Sequence, residues 1–128
     1  MKTNLNLVSE EVSKRIVNKG FDYEVLYKFV DGQPIKMDDW QVVDHPCPSY
    51  NTVRQWLSEQ FDYEVFVTRI GIQTLPDAGY GMVIYIPDDN SFKTDLCIYK
   101  NYEECLEHGV IHALDIIDGE VIPVHPDK

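Results

Sequence analysis

An α+β fold is what this sequence predicts, and three observations predict it. Three stretches place apolar residues at helical spacing behind residues that cap helices well. Others alternate or run apolar between clusters of Gly, Pro, Asp and Asn, as strands do. The strands also follow one another between the second and third helices instead of alternating with helices, which favours an antiparallel sheet over a parallel one. The expected architecture is an α-β-β-β-α core with a three-stranded antiparallel sheet and the helices on one face, preceded by an N-terminal helix and β-hairpin.

Taken in order, the first helix opens at Ser9, a natural N-cap, with Glu10 and Glu11 in the first turn where the helix dipole favours acids. Val12, Ile16 and Val17 form its apolar stripe. Gly20 suits a left-handed C-terminal cap, with Phe21 folding back on Ile16 beyond it. YEVLYKFV reads as a strand, DGQP as a turn and IKM as a short return strand. Residues 38–48, DDWQVVDHPCP, are polar, carry two prolines and read as a connecting loop.

Ser49 caps a second helix running to about Gln60, with Tyr50, Val53, Trp56 and Leu57 on one side. Strands are then expected over 63–73, YGMVIYI and FKTDLCIY, with turns at LPDAG and PDDN. In the last strand Phe92, Thr94, Leu96 and Ile98 alternate with Lys93, Asp95, Cys97 and Tyr99. Asn101 and Glu104 have capping-box spacing at the start of the third helix. Its apolar side gathers Tyr102, Cys105, Leu106, Gly109, Ala113, Ile116 and Ile117. Gly109 in mid-helix costs about 1 kcal/mol against alanine, so another element is expected to approach closely there. Gly119 ends the helix, and the tail from 119 to 128 reads as extended. The 128 residues therefore read as one domain: helix and hairpin over 1–37, loop over 38–48, core over 49–118, tail over 119–128.

Charge narrows the classes of partner. Eleven Lys and Arg against twenty-two Asp and Glu give a net charge of −11. A nucleic-acid binder needs clustered cations to neutralise phosphates, and no stretch supplies them, so direct nucleic-acid binding is disfavoured. An anionic membrane surface is disfavoured for the same reason. Such acidity is commonly just solubilising; its sharper meaning is an acidic face that mimics nucleic acid. The three cysteines, Cys47, Cys97 and Cys105, form no CxxC pair, and the N-terminus lacks the apolar core of a signal peptide. A reduced, cytoplasmic protein with no membrane-spanning segment is expected.

FDYEV occurs twice, at 21–25 and 61–65, each time directly after an amphipathic helix. Two copies are too few for a repeat array, and the word reads as helix-to-strand junction chemistry, with duplication of a helix–strand unit as the alternative.

The stretch CPSYNTVRQWLSEQFDYEVFV, with YKNYEECLEHGVIHALDII further on, resembles a family of small uncharacterised proteins common in gut Bacteroidetes and their phages. The positions that carry the likeness are Pro48-Ser49, Trp56-Leu57, Tyr102-Glu103-Glu104, Leu106, Gly109 and Ala113-Leu114, with Gly20-Phe21-Asp22 near the start. Ser58 stands where the family usually has arginine, and Cys105 where it has alanine. The resemblance implies a phage or mobile-element setting and brings no catalytic residues with it.

Several groupings invite a chemical reading. His108 and His112 lie four apart, at a spacing that can share a metal, but HGVIH lacks the glutamate of a zinc-protease helix. Histidines at the border of a buried face are the plainer reading. His45 and Cys47 would make a nucleophile pair only if folding brought them within hydrogen-bond reach and oriented the base. Asp38-Asp39 and Asp88-Asp89 fall in expected turns, where exposure keeps paired acids from dividing acid and base roles. GYG at 79–81 has neither the spacing nor the following helix of a phosphate cradle. Trp56 belongs to an apolar stripe, whereas Trp40, in the expected loop, is the candidate for surface contact.

No catalytic residue, metal or cofactor is expected. The leading expectation is a non-enzymatic accessory protein acting by contact with a protein partner. The core order also looks like that of double-stranded-RNA-binding domains, without their lysines, and like HicB-like antitoxin domains, which neutralise a partner protein. The alternatives are an acidic nucleic-acid mimic, such an antitoxin, or a small metal- or thiol-dependent enzyme using His108 and His112 or Cys47.

Overall fold

The structure, a computed structural model, describes residues 6–70, 79–86 and 91–119; the side chains of 70 and 91–98 fall outside that description. Helix and antiparallel strand are both present, in agreement with an α+β class. The elements are α1 (Glu10–Asn18), β1 (Val25–Val30), β2 (Gln33–Gln41), α2 (Tyr50–Phe61), β3 (Glu64–Ile70), β4 (Gly79–Ile86), β5 (Ser91–Tyr99) and α3 (Tyr102–Asp118). The chain divides into two compact units, Met1–Trp56 and Leu57–Lys128.

In the first unit, Ser9 Oγ accepts from the Val12 N–H at 3.2 Å, as expected of the cap. At the other end Gly20, at φ +92°, takes the left-handed conformation. The Phe21 N–H reaches the Ile16 carbonyl and the Gly20 N–H that of Val17, which together satisfy the last turn. Phe21 is buried and meets Trp56 edge-on, with ring centroids 5.5 Å apart. Val12 and Ile16 are buried as expected, but Val17 is exposed and Ser13 takes its place. Ser13 can be buried because its hydroxyl donates to the Pro46 carbonyl at 2.6 Å.

β1 pairs antiparallel with β2 from Val30 opposite Gln33 to Tyr27 opposite Lys36. The pairing then slips, and Val25 meets Gln41. Four residues, 37–40, thus stand opposite Leu26 alone: a wide bulge. The expected short return strand is therefore a nine-residue one, and residues 38–41, expected in a loop, belong to it. Trp40 sits on a strand, not in a connecting loop.

Residues 45–50 are equally tied down. The Phe29 N–H donates to the His45 carbonyl and the Cys47 N–H to that of Tyr27, along the edge of β1 away from β2. The Val8 N–H donates to the Pro48 carbonyl, and the Tyr50 N–H to that of Asn6. A segment held by so many backbone bonds is no linker. The division between the units falls within α2 and not in 38–48.

The α2 stripe of Tyr50, Val53, Trp56 and Leu57 is buried throughout. Ser49 Oγ accepts from the Thr52 N–H at 3.1 Å, confirming the cap. In the second unit β3 pairs antiparallel with β4, from Glu64 opposite Tyr85 to Ile70 opposite Gly79. β4 pairs on its other side with β5, whose register slips between Tyr80–Tyr99 and Met82–Asp95. Gly79-Tyr80-Gly81 is strand. The expected strand residues 71–73, the LPDAG turn before Gly79, the PDDN turn and the tail beyond Gly119 lie outside the described residues, as does the side-chain alternation expected in β5.

α3 packs on β3, β4 and β5. The Asn101 side chain accepts from the Glu104 N–H at 2.7 Å, and Gly119 closes the helix at φ +77°. A Cβ added at Gly109 would lie 2.8 Å from Val65 Cγ1 and 3.0 Å from Met82 Sδ, so the expected close approach is real. The buried stripe is centred differently from the expectation. Val110 and Leu114 are buried, while Tyr102 is exposed at the first turn, edge-on to Tyr80 at 6.2 Å, and Ile117 is half-buried.

The repeated word does not repeat in structure. In the first copy Gly20 holds the left-handed position and Phe21 is buried after it. In the second, Phe61 is still helical and Asp62 itself takes φ +61°. The buried aromatic there is Tyr63.

Candidate functional site

The β1–β2 bulge opens one side of a groove of about 740 Å³ within the first unit. Residues 24–27 run along it, Lys36 and Trp40 flank it from the two ends of the bulge, and Cys47, Pro48, Ser49 and Thr52 also line it, with Leu7. The volume falls within the range of ligand-binding clefts. Bulges re-aim side chains, and this one separates neighbours: Met37 is buried, whereas Trp40 is 60% exposed. Trp40, singled out from sequence, is thus a wall of a groove. The groove itself was not foreseen, although the polar Asp38-Asp39 pair that interrupts the strand pattern marks where the bulge falls. Those two carboxylates are exposed, but on a strand and not in the expected turn.

Cys47 is sealed. It is 1% exposed, and its thiol points to the Val8 carbonyl oxygen at 3.7 Å. Burial pushes its pKa up to about 11, so the thiolate needed for nucleophilic attack is disfavoured. His45, two residues away, is exposed. In α3 Cys105 is buried too; Cys97 has its side chain outside the described residues, as do Asp88 and Asp89 altogether.

His108 and His112 both line a shallow hollow of about 170 Å³ with Met82, Tyr99, Ile111 and Asp115. The His108 ring stacks on Tyr99, centroids 4.9 Å apart and planes 27° from parallel. His108 is exposed and His112 half-buried, the border placement expected of them. Among the described residues no three His, Cys, Asp or Glu side chains are grouped to hold a metal ion.

The units differ sharply in charge. Residues 1–56 carry eight acidic and seven basic side chains; residues 57–128 carry fourteen and four. α3 alone has Glu103, Glu104, Glu107, Asp115 and Asp118, and no Lys or Arg. Among the described residues no helix is long and apolar enough to cross a membrane.

Fold and groove define a small α+β protein with an exposed tryptophan at the edge of a cleft. No family model matches the chain, and neither a curated protein nor a solved structure is found similar to it.

Proposed function

We propose that this chain is a non-enzymatic accessory protein that works by binding a partner protein through the groove beside Trp40. One observation carries the reading: a large aromatic side chain, 60% exposed, borders a cleft instead of joining the core. Exposed tryptophan is costly in water and is favoured at the centre of protein interfaces. The reading takes in a cytoplasmic, phage or mobile-element setting, on the strength of the resemblance in sequence. It also takes residues 49–118 as an α-β-β-β-α core, a three-stranded antiparallel sheet with both helices on one face.

The test is capture from a host lysate with wild-type protein and Trp40→Ala in parallel, followed by calorimetry with the captured protein. Truncating a tryptophan anchor weakens binding by about 30-fold or more. Capture that is indifferent to Trp40→Ala, or turnover of a small molecule with no partner found, rejects the proposal.

A second reading, the acidic nucleic-acid mimic, is favoured by the crowding of charge into residues 57–128. It places the contact on α3 instead. Replacing Glu103, Glu104 and Glu107 together by Gln then abolishes capture while Trp40→Ala leaves it intact.

A further inference from the structure

The groove has features that choose among partners. Its floor follows residues 24–27, four positions of strand or about 13 Å, long enough for a short extended peptide. Leu7, Leu26 and Pro48 supply apolar lining. One exposed carboxylate, Glu24, lines the groove, and two more, Asp38 and Asp39, immediately precede Trp40 in the bulge. Lys36 is the one cation lining the groove. An exposed indole in a groove that also holds a carboxylate is a chemical environment for a guanidinium or ammonium group, drawn by the ring and by the acid.

Resting on the reading that the Trp40 groove is a contact surface, we infer that its occupant is a basic, extended peptide segment of the partner protein. An arginine or lysine of that segment stacks on Trp40, with its charge answered by Glu24, Asp38 and Asp39. The apolar side chains between its basic residues lie against Leu7, Leu26 and Pro48. Lys36 donates to a peptide carbonyl.

Fluorescence tests this directly, because Trp56 is 1% exposed and a bound peptide changes the emission of Trp40. The probes are the capped peptide of alternating leucine and arginine, five residues long, and its leucine–glutamate counterpart. The arginine peptide is expected to give a saturable blue shift, and the glutamate peptide to bind at least tenfold more weakly. Asp38→Asn with Asp39→Asn should weaken arginine-peptide binding about tenfold, and calorimetry should show it lost in Trp40→Ala. Urea unfolding verifies that both variants fold. No saturable binding, equal binding of the two peptides, or arginine-peptide binding that survives Trp40→Ala overturns the inference. If lysate capture depends on Trp40 while the arginine peptide fails, the contact surface stands and its basic occupant does not.

Discussion

Ser13 Oγ donates a 2.6 Å hydrogen bond to the Pro46 carbonyl oxygen, and both residues are buried. This bond fixes α1 to the segment that carries Cys47 and Pro48 into the groove wall. Ser13→Ala leaves a carbonyl in the core without that donor, a loss of about 1–3 kcal/mol. Urea unfolding of Ser13→Ala beside the exposed-site variant Asn18→Ala should show the first shifted by that amount and the second nearly unmoved.

Gly109→Ala sets two effects against each other. Alanine favours helix by about 1 kcal/mol, but overpacking costs about 1–3 kcal/mol. Val65 Cγ1, 2.8 Å from the added Cβ, belongs to a stiff β-branched side chain on a paired strand, so the clash prevails. The variant is expected to be less stable than wild type. Adding Val65→Ala should recover part of the loss, and a double-mutant cycle by chemical unfolding measures that coupling.

The two FDYEV copies should respond differently to one change. Asp62 sits at φ +61°, a conformation that costs ordinary L-residues about 1–2 kcal/mol and is better tolerated by Asp, Asn and Gly. Asp22 is not among the positive-φ residues. Asp62→Ala should therefore cost about 1 kcal/mol more than Asp22→Ala, and Asp62→Gly should cost nothing or stabilise. Equal losses at the two sites would mean the copies are structurally equivalent after all.

The Cys47 thiol gives the fold an alkaline limit. Its pKa rises from 9.0 to about 11 through burial, so the folded state holds the proton more tightly than the unfolded chain. The stabilisation is fully present below pH 9 and is lost as pH climbs through 11. A shift of that size corresponds to roughly 3 kcal/mol. Unfolding midpoints at pH 7, 9 and 10.5 should fall more steeply for wild type than for Cys47→Ala, which lacks the titrating group. Native protein should also react slowly with a thiol reagent at Cys47 until it is unfolded.

Local rules in the sequence reach far in this chain. The Ser9, Ser49 and Asn101 caps and the left-handed turn at Gly20 all follow from residues within one or two helical turns. The helical stripe around Trp56 places it in the core, whereas Trp40 was expected at the surface because of a loop that the structure replaces with strand. Periodicity was less reliable where a distant partner decides. Ser13 replaces Val17 in the buried face of α1 because a carbonyl 33 positions along the chain accepts its hydroxyl.

The sequence by itself determined the class of fold, the starts and stops of the helices, and a net charge of −11. Tertiary structure alone decided that residues 38–41 belong to β2, that residues 37–40 bulge opposite Leu26, and that Trp40 borders a groove. The physical reason is range. A cap or a left-handed turn is set by bonds between near neighbours, whereas strand register depends on hydrogen bonds to a segment that the local pattern does not name.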